Sequence, residues 1–157
     1  MLKDVVNQHL NAISDKRHGL AIRRALEAMF DPAGSAQWIH IPIPLTATDA
    51  TRTVFIANSP VKVKALSKIF TVASTSGTLT ISKDTGTGAP GSGTALLTAA
   101  VALSGTANTV GNGTLISTAG ADATLTLAAG DRIAIVIAGT MTGLAGGVAT
   151  ISLCPAG

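Results

Sequence analysis

Residues 132–138 read Arg132-Ile133-Ala134-Ile135-Val136-Ile137-Ala138, and this stretch decides the fold. It is rich in β-branched residues and has the length of a strand rather than a helix. In an extended chain Ile133, Ile135 and Ile137 share one face. Ala134, Val136 and Ala138 share the other, and they are apolar too. An antiparallel strand with one wet face carries polar residues on it. Both faces are therefore expected to be covered, one by the chain's own core and one by a neighbouring subunit. Ala134, Val136 and Ala138 become candidate subunit-interface residues, and Val136→Lys is expected to give a folded monomer.

The same period of two runs outward from this stretch. Ile39, Ile41, Ile43 and Leu45 alternate with Trp38, His40, Pro42 and Pro44. Two prolines on one parity suit an edge strand, where a missing N–H does no harm. Further strands are predicted over Thr53–Asn58, Val61–Ala73, Gly77–Ser82, Leu96–Leu103, Thr114–Ser117, Ala123–Leu127 and Val148–Leu153. Lys83–Thr94 is a Gly/Pro-rich loop. Roughly eight or nine short strands separated by turn signals make a sandwich, jelly roll or barrel. No alternation of strand and helix argues for a parallel α/β sheet.

The first thirty residues differ. Leu2, Val5, Val6, Leu10 and Ile13 recur at helical spacing, followed by Ile22, Ala25, Leu26 and Met29. Asp31-Pro32 ends the pattern, since proline disfavours helix in the residue before it. Residues 1–34 are read as a helical anchor and linker, and 35–157 as the β-sandwich domain. The predicted class is thus mainly β: an antiparallel, jelly-roll-like sandwich with a short N-terminal helical segment.

The chain has 157 residues, 46% of them hydrophobic, and a mean hydropathy of +0.47. No apolar run reaches the roughly 18–20 residues that span a bilayer. Cys154 is the sole cysteine, so no disulfide can form within the chain. The net charge is +3. All basic residues except Lys83 and Arg132 lie in the first 68 positions. That charge is too weak and scattered for a nucleic-acid protein, and 3% aromatic residues give no base-stacking platform.

Between Phe70 and Gly157 the charged side chains are Lys83, Asp84, Asp122, Asp131 and Arg132. A catalytic surface gathers more carboxylates, histidines or cysteines than this, so no enzyme, catalytic residue or cofactor is expected. Asp84-Thr85-Gly86-Thr87 does match the aspartic-protease signature. Such a site needs two carboxylates sharing a proton, hence a symmetric dimer. Lys83 stands where those enzymes carry an apolar residue, and an Asp-Gly turn explains the letters equally. Asp84→Asn is accordingly expected to behave as the wild type. Gly86–Gly91 fits G-x-G-x-x-G but opens no helix. His9, His18 and His40 have no metal-ligand spacing. Lys62, Lys64 and Lys68 form a predicted basic stripe on one strand face. It either meets an acidic partner or guards an edge strand against aggregation.

The stretch Ile81–Thr98, with Leu103–Val110 and Leu125–Ile133, resembles small virion proteins of tailed bacteriophages, the head decoration (cement) and head-fibre proteins. The resemblance covers about residues 54–153. It implies a jelly-roll or related sandwich, often trimeric, bound to the outside of a capsid lattice built from a major capsid protein. It implies synthesis in a bacterial host's cytoplasm. Arg17, Arg23, Arg24, Lys62, Lys64 and Lys68 are then candidate capsid-binding residues. A receptor-binding or tail-fibre β-module is the alternative; an aspartic-type protease is the remote one.

Overall fold

The computed structural model describes residues 38–117 and 120–156. The helical anchor expected over residues 1–34, with Arg17, Arg23 and Arg24, lies outside them. The sandwich unit begins at Trp38.

Two antiparallel sheets face each other. The first holds β1 (Ile39–Leu45), β3 (Val61–Ile69), β7 (Gly111–Gly113), β8 (Thr126–Leu127) and β10 (Gly147–Pro155). Its order is β1-β10-β3-β7, with β8 also on β3. The second holds β2 (Arg52–Ile56), β4 (Thr78–Asp84), β5 (Thr94–Ala95), β6 (Val101–Ala102) and β9 (Arg132–Ala138). Its order is β2-β9-β4-β5, with β6 also on β4. One helical turn, α1 (Ala121–Leu125), precedes β8. The chain is mainly β and forms a sandwich, as the period of two predicts.

The core lies between the sheets. Ile43, Leu45, Val63, Leu66, Ile151 and Leu153 meet Leu79, Ile81, Ile133 and Ile135 in one buried cluster. Phe70, Leu96, Leu103 and Leu127 are also fully buried. Each such side chain contributes about 1.5–3 kcal/mol relative to its exposed state. β1 is an edge strand with Pro42 and Pro44 pointing outward, where no ladder bond is lost.

Four predicted elements are corrected. Ala123–Leu127 is not a strand throughout: Ala121–Leu125 turns once as α1, and only Thr126–Leu127 pairs with β3. Gly120 supplies the left-handed backbone, φ 85°, that lets the turn start. Both Leu125 and Leu127 still reach the core, which is the alternation the sequence displays. Leu96–Leu103 is not one strand: it holds an isolated bridge between Leu97 and Leu115 and then β6, while β5 ends just before it at Ala95. Predicted strand Thr114–Ser117 keeps only that bridge, the ladder having formed earlier, at β7.

The fourth correction concerns β3. Val63 pairs with Leu153 and Ala65 with Ser152, so Lys64 is an extra residue, a β-bulge. A bulge shifts the parity of everything after it. Val61 and Val63 point inward before it; Leu66, Lys68 and Phe70 point inward after it. The expected one-faced stripe of Lys62, Lys64 and Lys68 therefore does not exist. Lys64 is exposed, while Lys68 is 8% exposed on the opposite face.

Candidate functional site

The most organised polar cluster lies where β4 leaves the sandwich. On β4, Leu79 and Ile81 point into the core, so Ser82 and Asp84 point to the outer face of their sheet. Both are buried there, Asp84 at 1% exposure. Glycine-rich residues 85–93 fold back over them. One oxygen of Asp84 accepts from the Gly93 N–H at 2.9 Å and from Ser82 Oγ at 2.8 Å. The other accepts from the Gly91 N–H at 2.8 Å. Burial raises the Asp84 pKa, but these three bonds and the nearby Arg132 charge outweigh it and hold the carboxyl below its ordinary value.

Arg132 grips the same loop from β9. Its Nη2 donates to the Gly86 carbonyl at 3.0 Å and to the Gly88 carbonyl at 2.9 Å. A loop this rich in glycine has a large ordering entropy to overcome. Here its main chain is tied at four of its residues by two side chains. The close approach needs glycine at Gly91: a Cβ there would stand 2.9 Å from Val136 Cγ2 and from Thr51 Cγ2, at φ +83°.

This loop changes the reading of β9. Its outer face was expected to need a neighbouring subunit. Ala134 is fully buried inside the chain, flanked in the ladder by Ser82 and Thr53. Val136 lies against Gly91 of the folded-back loop. Only Ala138 is exposed. Ala134 is thus covered by the chain itself, and Val136 is half-buried against its own loop.

The basic residues divide into three situations. Lys62 Nζ lies 2.6 Å from an Asp122 oxygen, tying β3 to α1. That contact is the main reason Asp122 sits below its ordinary pKa. Lys83 Nζ donates to the Thr126 carbonyl at 2.6 Å and lies 3.3 Å from Asp131, bridging the sheets at one end of the core. Lys68 has no ion pair with a described residue; its Nζ stands 4.2 Å from the Phe70 ring centroid. Desolvation lowers its pKa. An open cavity of about 320 Å³ beside the loop is lined by Lys83, Thr85, Gly93, Thr94, Ala123 and Thr124. Its one lysine is already engaged.

On the outer face of the first sheet, Pro44, Val148 and Ile69 stand in one cross-strand row. Val148 and Ile69 are each 37% exposed. At the opposite end of that face Trp38 stacks on His40, with ring centroids 6.3 Å apart. His40 Nδ1 is 3.0 Å from Ser152 Oγ, which agrees with its expected place on a strand surface.

Sequence reasoning found Asp84 and its loop but missed Ser82 and Arg132 as partners in holding it. The pairing of Asp84 with Arg132 depends on the β4–β9 register, which no local signal reveals. The shift of Lys68 was legible in principle. The apolar positions change parity between Val63 and Leu66.

No family model matches the chain, and no curated protein does. Among solved structures, the chain is similar to one in "Structure of infectious bursal disease virus Gx strain", with 19% identity and a TM-score of 0.33. The match covers 77% of this chain and spans about a third, 33%, of that one.

Proposed function

We propose that this chain is a non-enzymatic structural protein of a virion, docked on the outer capsid surface, where it stabilises the head lattice as a decoration or cement protein. The observation that carries the non-enzymatic part is the state of Asp84. The one motif with a catalytic counterpart spends both carboxylate oxygens on main-chain N–H groups and a serine of its own fold. A protease carboxylate has to face substrate and a second carboxylate. This one faces its own loop.

The resemblance of residues 54–153 to phage head proteins supports the virion part. The jelly-roll form rests on the same resemblance; β1 to β4 and β8 to β10 alternate between the sheets, whereas β4, β5 and β6 share one sheet and β7 and β8 the other. The Pro44, Val148 and Ile69 row and the exposed Lys64 offer a surface for a major capsid protein. Homotrimer formation rests on the resemblance rather than on β9. The mechanism is mechanical. Small contact energies repeated over many lattice positions sum through avidity. Binding to the assembled shell alone stabilises it by mass action.

Electron microscopy of native particles labelled with antibody against residues 38–156 tests this. Label spread over the head is the expected result. Label confined to the tail would replace it with the receptor-binding or tail-fibre reading, and absence of label from particles would remove both.

A further inference from the structure

Lys68 is a cation with no acidic partner among the described residues. It is 8% exposed, and its ammonium has the face of Phe70 beneath it. The segments packed around that end of β3 are residues 70–82, 101–117 and 139–149, and none contains an ionisable side chain. Asp49, Asp84, Asp122 and Asp131 are the acidic groups of the described residues, and none is within 4.0 Å of Lys68. The stem is buried, but Nζ is not among the enclosed unpartnered atoms, so the ammonium itself reaches solvent at the end of a covered side chain.

The chain makes room for it. A Cβ at Gly111 would come within 3.1 Å of Nζ and crowd the stem, and a Cβ at Gly105 would lie 4.0 Å from Nζ. The backbone of residues 105–111 thus borders the ammonium with no side chain at either glycine. That backbone is pinned by Asn108 N–H to the Phe70 carbonyl at 2.8 Å and by Ser74 N–H to the Leu103 carbonyl at 2.9 Å. Next to these residues in the chain, Val110 and Val72 are 62% and 50% exposed. Val110 directly precedes Gly111, the glycine whose backbone borders the cation, so an exposed apolar side chain starts one residue from it.

We propose that Lys68 is a docking point for one carboxylate, presented by an acidic side chain of a partner protein whose neighbouring apolar atoms cover Val110 and Val72. The charge fixes the ligand class. The apolar neighbours favour a protein side chain over a free anion, which would leave them wet. This deepens the docking reading above for one residue, and it is tested without any particle, so its failure leaves the lattice reading standing.

The test is an amide NMR titration of the full chain with a blocked aspartyl peptide carrying an adjacent leucine. Parallel titrations use sodium acetate and sodium chloride at matched ionic strength. Expected are saturable shifts centred on Gly105 and Gly111, at least tenfold tighter for the peptide than for acetate and absent with chloride. Lys68→Met should abolish them; Lys64→Met should leave them. Equal affinity for acetate and peptide would overturn the protein-partner assignment. Absence of saturable shifts, or their survival in Lys68→Met, would overturn the site. Raising the pH until the Lys68 amine is neutral must also release the peptide from the wild type, which keeps the test decisive if the variant folds poorly.

Discussion

Asp84 and Arg132 stand opposite each other in the β4–β9 ladder and hold one loop between them, the carboxylate by its N–H groups and the guanidinium by its carbonyls. The pair converts residues 85–93 from an open glycine-rich connection into a cover for the outer face of β9. The consequences can be measured.

Removing the carboxylate should cost more than the sequence suggests. Asp84→Ala leaves two main-chain N–H groups and the Ser82 hydroxyl without an acceptor, at about 2–4 kcal/mol. Asp84→Asn keeps one acceptor and turns an NH₂ toward a donor, so about 1–3 kcal/mol is expected. Urea unfolding at neutral pH checks both. Asp84→Asn is therefore expected to be less stable than the wild type rather than equal to it.

Acid should act through the same group. The folded-state pKa of Asp84 is below its ordinary value. The stabilisation is therefore fully present above the unfolded value of about 3.9 and is lost as pH falls through the lower folded value. Between pH 6 and 2, the wild type should lose more stability than Asp84→Asn, measured by thermal unfolding at each pH. Equal slopes would contradict the assignment.

Lys68 should move stability in the same direction with pH, but by shedding an unfavourable charge at the alkaline end. Its folded pKa is lowered by burial. The unfolded chain thus holds its proton to higher pH, and this residue's contribution to stability rises as pH climbs through the folded pKa toward about 10.4. Lys68→Met removes a partly desolvated charge and should raise neutral-pH stability by up to about 1 kcal/mol, after loss of the contact with Phe70 is counted. It should also flatten the rise toward alkaline pH.

Gly91→Ala introduces a Cβ against Val136 and Thr51 at a left-handed φ. A cost of about 1–3 kcal/mol is expected from strain and overpacking. Limited proteolysis should then cut within residues 85–93 faster than in the wild type. Val136→Lys, which disturbs the same contact from the other side, should show the same protease sensitivity with no change in sedimentation coefficient.

The fold was largely legible because its signal is local. Alternation in residues 39–45 and 132–138 places the right side chains inward, and the prolines of β1 mark its edge. What went unread has two sources, a parity change between Val63 and Leu66 that the sequence does display and pairing across the chain that it does not. The bulge at Lys64 turns Lys68 inward through its register against Ser152 and Leu153. The cover over Val136 comes from a loop nearly fifty residues earlier, and apolar residues alone do not say whether the cover belongs to the same chain. Of the candidate docking residues, Lys64 is exposed as expected, whereas Lys62 is engaged with Asp122 and Lys68 is buried on the other face.

The central claim is docking on an assembled shell. Its most direct measurement is co-sedimentation of the purified chain with empty heads assembled from the major capsid protein alone, read together with the heads' thermal disruption temperature. Saturable binding with no affinity for unassembled coat subunits, and a disruption temperature that rises with occupancy, is the result expected. Heads that sediment bare at saturating protein would contradict the claim.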